Sequence, residues 1–123
     1  MSPRDVSVSE SLARFVQNHA EEQLQFIIDL SHQNSFSHNK DGTDKVADMV
    51  LDRVGMVFPF HRVVEQPVVG NLHILSTVEE GESIYLLGHL DTVFPPDHPV
   101  ERCWVDGDEL HGPGCGDMKA GVA

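Results

Sequence analysis

Residues 84–87 (IYLL) constrain the fold of this chain more than any other stretch of the sequence. They lie in a near-continuous apolar segment, residues 83–88, and such a run is typical of a central strand that is buried on both faces of a sheet. A sheet buried in this way needs helices packed against it. The run therefore predicts an α/β fold with residues 83–88 in the middle of the sheet.

The beginning of the chain predicts one long helix. Ser7 and Glu10 have the spacing of a capping box, in which a hydroxyl and a carboxylate satisfy the first free backbone N–H groups. Apolar residues then recur at the helical period as far as Ile28. We expect this helix to end near Ser31.

A second helix should follow a polar loop, residues 31–42, which is rich in Ser, Asn and His. Asp41 or Thr43 can cap this helix, since both side chains accept hydrogen bonds from free backbone N–H groups. Gly55 is the expected C-terminal stop.

Three strands are predicted next. Residues 57–65 are β-branched and aromatic, although Pro59 indicates an edge strand or an early break. Residues 71–77 alternate in polarity and are followed, after a polar turn, by the apolar segment 83–88.

A hairpin and a helix complete the predicted order of elements. The dipeptide Asp106-Gly107 is a favourable hairpin turn between residues 102–105 and 109–111, where Trp104 should be a packing residue. Residues 118–123 resemble the first turns of a third helix, without a cap or a glycine stop.

Two short signatures follow the apolar run, GHLDTV at residues 88–93 and GPGCGDMKAG at residues 112–121. His89 and Asp91 leave the same face of a strand, so His89 can bind a metal while Asp91 contacts its other ring nitrogen. In the second signature, glycines let the backbone pass close to a neighbour, and the Asp117 carboxylate can ligate or bridge divalent cations.

These signatures, in this order, resemble the amino-terminal part of the co-catalytic zinc metallopeptidases, the family of carboxypeptidase G, aminoacylase, acetylornithine deacetylase and succinyl-diaminopimelate desuccinylase. The carboxypeptidase G branch is the most similar, through the GHLDTVFPPDHP loop and the DGDELHGPG approach to the second signature. The resemblance covers roughly residues 20–123, and its specific motifs lie in the last third.

The resemblance implies a site for two zinc ions, which cobalt or manganese can replace. It implies that His89 is a ligand of one zinc, that Asp117 bridges both, and that Asp91 has a catalytic role as the carboxylate partner of His89. The implied reaction is hydrolysis of the amide bond of N-acyl amino acids or short peptides, and the implied parent enzyme can be a homodimer.

The family also requires two adjacent glutamates, a further acidic ligand and a distal histidine, and none of these follows the second signature in the 123 residues. Residues 1–123 are therefore expected to be a single, incomplete segment of a mixed-sheet α/β catalytic domain, without a lid or dimerisation domain and inactive alone. The alternative is a stand-alone metal-binding or interaction module, and the uncapped last helix favours truncation.

Other interpretations of these residues remain open at this point. His89 can be a histidine that only hydrogen-bonds to Asp91, and Asp117 can be a helix N-cap. Lys119 has no assigned role and is expected to be solvated or to lie near a helix dipole.

A zinc site made of Cys103, His111 and Cys115 is disfavoured, because the two cysteines lack the paired spacing of structural zinc sites. The remaining loop histidines, His32, His38 and His98, are expected at the surface.

Charge and composition limit the partners and the compartment. Eight basic and twenty acidic residues give a net charge of −12, so nucleic acid and anionic membranes are poor partners. Two cysteines do not make a disulfide framework. The first ten residues, MSPRDVSVSE, lack the apolar core of a signal peptide, so a cytoplasmic location is expected.

Overall fold

The computed structural model describes residues 3–123, with side chains from Ser7 onward. Its elements are α1 (Pro3–Asn18), α2 (Ala20–His32), α3 (Lys40–Val54), β1 (Phe60–Val64), β2 (Leu72–Ser76), β3 (Trp104–Asp106), β4 (Glu109–His111) and α4 (Ala120–Val122). A π-helical turn, Cys115–Lys119, leads directly into α4. Over this range the chain is a small mixed α/β domain with four α-helices and two small antiparallel sheets, which confirms the α/β class.

The prediction of a single helix over the first thirty residues is wrong, because the helix is interrupted at His19. The ring Nδ1 of His19 lies 2.8 Å from the carbonyl oxygen of Phe15, and its backbone N–H donates to the same oxygen at 3.1 Å. His19 has φ −111° and ψ 9°, outside the helical region, so α2 starts anew after it. The capping box is also wrong, since α1 begins at Pro3 and Ser7 lies inside it.

Helix α3 is capped by Asn39 and not by Asp41 or Thr43. The side-chain oxygen of Asn39 accepts a hydrogen bond from the N–H of Gly42 at 3.1 Å, which is the usual N-cap contact. The C-terminal stop is confirmed, since the helix ends at Val54 and Gly55 follows it.

The first two predicted strands are confirmed as β1 and β2, which pair antiparallel from Phe60 opposite Ser76 to Val64 opposite Leu72. Pro59 directly precedes β1, in keeping with the predicted early break. A hydrogen bond connects the β1–β2 sheet to helix α3. Asp44 Oδ1 on α3 accepts it from the N–H of Asn71, directly before β2, at 2.8 Å.

The central strand predicted at residues 83–88 is wrong. This segment belongs to no strand, and the side chains of Ile84, Tyr85, Leu86 and Leu87 are 94, 82, 92 and 91 % exposed. The apolar pattern describes a side-chain preference, but a strand also needs a neighbour for its N–H and C=O groups. Among the strands that the structure describes, β1 and β2 pair only with each other, so the mixed sheet expected around this segment does not form.

The predicted hairpin is confirmed as β3 and β4, with Asp106 opposite Glu109. Gly107 has φ +62°, a left-handed conformation that glycine adopts without strain. The Trp104 ring stacks on the His111 ring with centroids 5.0 Å apart, as expected for a packing residue.

A small core joins α2, α3 and the two signature segments. Its buried apolar side chains are Leu30, Val46 and Ala47. Beside them, Phe36 and Thr92 form a parallel β-bridge in which Thr92 donates its N–H to the Ser35 carbonyl at 2.8 Å. This bridge fixes the first signature against the loop between α2 and α3. In residues 3–123 no helix has the length and apolarity needed to cross a membrane.

Candidate metal centre

The structure brings together the three residues that the sequence predicts as a site. The Nε2 atom of His89 lies 2.8 Å from Asp117 Oδ1, although the two residues are 28 positions apart. On the opposite side of the ring, Nδ1 lies 3.2 Å from Asp91 Oδ1 and 3.0 Å from the Asp91 carbonyl oxygen. The imidazole therefore lies between two carboxylates.

Asp91 is positioned by a residue that the sequence did not indicate. Ser37 Oγ donates a hydrogen bond to Asp91 Oδ2 at 2.5 Å, and the Ser37 N–H donates to the Thr92 carbonyl at 3.0 Å. Ser37 lies in the polar loop before α3, where no motif distinguishes it from the neighbouring serines. The Phe36–Thr92 bridge makes this contact possible, and that pairing is not visible in the sequence.

Two glycines of the second signature let the backbone pass close to Thr92 and Cys103, as predicted. Gly114 has φ +74°, and a Cβ there would lie 2.5 Å from Thr92 Cγ2. Gly112 has φ +152°, and a Cβ there would lie 2.3 Å from Cys103 Sγ. A side chain at position 114 would push the second signature away from Thr92 of the first signature, and one at position 112 would push it away from Cys103.

Asp117 is not a helix cap. It has φ −137° and ψ 97° within the π-helical turn, and no side-chain cap hydrogen bond is made at the start of that turn or of α4. Its side chain is 89 % exposed, so the carboxylate has an oxygen available for a further ligand.

The hydrogen bond that the His89 ring donates to Asp117 raises the pKa of His89 above its ordinary value, against an opposing effect of burial and with a smaller contribution from Asp91. The imidazolium is stabilised because both ring nitrogens face oxygen atoms. A metal cation at this position would replace the proton on Nε2, because the metal ion and the proton each place a positive charge beside the Asp117 carboxylate.

His89, Asp91 and Asp117 line a cavity of about 310 Å³, together with Ser37 and Phe94. A second cavity of about 460 Å³ shares Phe94 and Thr92 with the first and extends toward Lys119. The two carboxylates and the imidazole are thus open to a small molecule from one side.

The donor set fits half of a zinc site. Two ligand atoms of a tetrahedral zinc lie about 3.4 Å apart when each is about 2.0–2.2 Å from the metal. The 2.8 Å between His89 Nε2 and Asp117 Oδ1 needs to widen by only about 0.6 Å to admit the ion. Within residues 3–123, however, no three His, Cys, Asp or Glu side chains gather around one such position.

Lys119, expected to be solvated, is buried, and that expectation is wrong. Its side chain is 2 % exposed, and Nζ donates hydrogen bonds to the carbonyl oxygens of Leu30 at 2.6 Å and Gln33 at 2.9 Å. Burial lowers the pKa of its ammonium group to about 8. Lysine is rarely buried in proteins, which is why the sequence favours the solvated interpretation.

The alternative zinc site at Cys103, His111 and Cys115 is not formed. Cys115 Sγ donates to the carbonyl oxygens of Leu110 and Gly112, and the His111 ring is stacked on Trp104. These three residues are not among any metal-binding group in the part of the chain that the structure describes.

The loop histidines lie mostly where they were expected. His38 is exposed. His98 Nδ1 accepts a hydrogen bond from the N–H of Val100 within its own loop. His32 is exposed but also accepts a hydrogen bond from the N–H of Cys103 at 3.0 Å, so it helps to hold the hairpin against α2.

Comparison with known proteins found no matching family model, no matching curated protein and no matching solved structure. The resemblance to zinc metallopeptidases therefore rests on the two signatures in the sequence.

The raised pKa of His89 predicts a clear effect of Asp117→Asn. In metal-free buffer His89 should titrate at higher pH than His73, whose pKa burial lowers. Asp117→Asn should lower the His89 pKa toward its ordinary value, because the largest cause of the shift is removed. Because the pKa of His89 is raised on folding, protonation of His89 stabilises the folded state at pH values below the ordinary histidine pKa. This contribution is lost as the pH rises through the folded-state pKa.

NMR titration of the histidine ring resonances checks this prediction, with the exposed Asp52→Asn as a matched control on α3. If the His89 pKa is the same in Asp117→Asn as in the unsubstituted chain, Asp117 is not the cause of the raised pKa.

Proposed function

We propose that this chain carries one half of a di-zinc site for amide-bond hydrolysis, as the N-terminal part of a metallopeptidase or deacylase catalytic domain. The observation that supports the proposal is the position of the His89 imidazole between the carboxylates of Asp91 and Asp117, at 3.2 and 2.8 Å. Both signatures contribute to this arrangement, and the same three residues carry the resemblance to the family.

Each residue has a defined role in the proposed site. Asp91, held by Ser37, fixes the proton of His89 on Nδ1, which leaves the lone pair of Nε2 for a metal. Asp117 offers an exposed carboxylate that can bridge two metals. Zinc, when bound, lowers the pKa of a water molecule and polarises the amide carbonyl. Asp91 is thus a positioning residue.

The same site lacks the groups that would complete catalysis. The cavity lining in the described chain holds no carboxylate besides Asp91 and Asp117. The general base and the remaining ligands would have to come from other residues. We therefore propose a half-site that is inactive on its own, with N-acyl amino acids or short peptides as the substrate class on the strength of the family resemblance.

The alternative function is a stand-alone metal-binding or interaction module built on the same fold. The exposure of residues 84–87 would serve such a module as a contact surface, although an incomplete catalytic domain would leave the same segment uncovered. Four consecutive apolar side chains at 82–94 % exposure are unusual on a monomer and mark an association surface. This alternative and the half-site proposal differ in what they predict for metal and for substrate.

The first test of the proposal is an activity assay. With excess zinc, the 123-residue chain should not hydrolyse N-acyl amino acids or dipeptides, since Asp91 and Asp117 are committed to positioning His89 and to binding metal and leave no carboxylate in the cavity lining as the general base. Zinc-dependent turnover that disappears in His89→Ala would contradict the half-site, because a residue of this chain would then be acting as the base.

The second test is zinc-dependent substrate binding, followed by NMR. An N-acetyl amino acid should shift the resonances of Ser37 and Phe94, which line the cavity, in the presence of zinc and not in its absence. The shifts should vanish in Asp117→Ala and persist in Asp52→Ala. Shifts that are equal with and without zinc would favour the interaction module.

A further inference from the structure

A second pair of histidines lies on the sheet formed by β1 and β2. His61 Nε2 and His73 Nδ1 are 3.0 Å apart, and the two rings are stacked with centroids 5.3 Å apart at an interplanar angle of 19°. Neither residue lines the cavity around His89.

The strand register explains why the two rings meet. His61 lies opposite Leu75, and His73 lies opposite Val63, so both histidines are on the same face at diagonal positions. Diagonal neighbours on a sheet are within reach of ring side chains. The contact is therefore fixed by backbone pairing and does not depend on a flexible loop.

The distance between the two ring nitrogens is close to the distance between two imidazole nitrogens that bind the same metal ion. Two imidazole nitrogens bound to one tetrahedral metal at about 2.0–2.1 Å lie about 3.3–3.4 Å apart. The observed 3.0 Å requires an opening of only about 0.4 Å, which small rotations of two surface rings supply. We propose that His61 and His73 together bind one divalent transition-metal ion of the Ni²⁺, Cu²⁺ or Zn²⁺ class.

The surroundings favour a cation of that class. Asp44 and Asp48 on α3 lie near enough to His73 to act on it electrostatically, and Asp48 is exposed. Imidazole nitrogens select Ni²⁺, Cu²⁺ and Zn²⁺ over Mg²⁺ and Ca²⁺, which prefer oxygen. Within residues 3–123 no third His, Cys, Asp or Glu side chain joins the pair, so water would have to complete the coordination of a bound ion.

Ni²⁺ is the probe of choice, in a His89→Ala background that removes the other candidate site. Loss of an outer-shell partner of a metal ligand costs about 10–100-fold in affinity, so loss of one of two ligands should cost at least about tenfold. We expect His61→Gln and His73→Gln each to weaken Ni²⁺ binding by that factor in calorimetry. The exposed His38→Gln should leave the affinity unchanged.

A measurement on the His89→Ala chain alone keeps the proposal falsifiable if a glutamine variant fails to fold. Ni²⁺ is paramagnetic, so substoichiometric amounts should broaden the NMR signals of Val63 and Leu75, which share the histidine face. Broadening centred elsewhere, or a Ni²⁺ affinity that neither glutamine substitution lowers, would overturn the proposed site.

Discussion

Lys119→Met should lower the free energy of unfolding by about 2–4 kcal/mol, the largest effect we expect from a single substitution. The ammonium group donates to the carbonyl oxygens of Leu30 and Gln33, at 2.6 and 2.9 Å, in a position that is 2 % exposed. Methionine has a similar length but donates nothing, so two carbonyl groups at the end of α2 lose their partner. This contact also ties the Asp117 turn to α2.

Urea unfolding followed by circular dichroism measures the effect. Lys45→Met is a matched control, since Lys45 is exposed on α3, and it should change the free energy of unfolding by less than about 0.5 kcal/mol. Equal stability of the Lys119→Met and Lys45→Met chains would contradict a structural role for the buried ammonium group.

Replacing Ile84 and Leu86 by lysine should convert a self-associating chain into a monomer. These side chains are 94 and 92 % exposed, and they lie in an extended apolar segment without a strand partner. Such a segment can pair with another chain through its free backbone groups and bury its side chains there. Two lysines prevent that burial, and because the side chains are already exposed, the substitution should not disturb the fold.

Size-exclusion chromatography with light scattering provides the measurement, against a monomer mass of 13.6 kDa. The net charge of −12 opposes self-association, so the unsubstituted chain should associate more strongly as salt screens that charge. Met56→Lys is the control, because Met56 is a fully exposed apolar residue outside residues 84–87. A monodisperse monomer at high salt would contradict the prediction and would remove the support for an association surface.

The sequence predicted those elements whose signals are local. The strands β1 and β2, the β3–β4 hairpin and the end of α3 at Val54 follow from residue type, alternation and turn residues, which act over a few positions. The pairing of β1 with β2 was not predicted. The break at His19 was missed because it depends on one ring nitrogen that competes for the Phe15 carbonyl. The cap at Asn39 was missed because five other Ser, Asn or Asp residues of the loop 31–42 can also cap a helix.

The prediction of a strand at residues 83–88 was wrong for a different reason. Side-chain pattern specifies which surfaces prefer to be buried, whereas a strand requires a paired backbone. No strand that the structure describes extends to this segment, so its apolar side chains stay exposed.

The two signatures predicted that His89, Asp91 and Asp117 would act together, and the three side chains do lie in contact. What the sequence could not supply were the contacts that position them. Ser37 reaches Asp91 only through the bridge between Phe36 and Thr92, which joins segments about 55 residues apart. Lys119 is buried only because α2 ends beside the second signature.

Zinc titration by calorimetry tests the half-site most directly, in a chain whose second candidate site is removed by His61→Gln and His73→Gln. Two protein ligands do not enclose a metal that prefers four, so we expect weak binding, reduced at least about tenfold by His89→Ala and by Asp117→Ala. The exposed His38→Ala should leave the affinity unchanged. Tight zinc binding that is indifferent to both His89→Ala and Asp117→Ala would contradict the proposed centre.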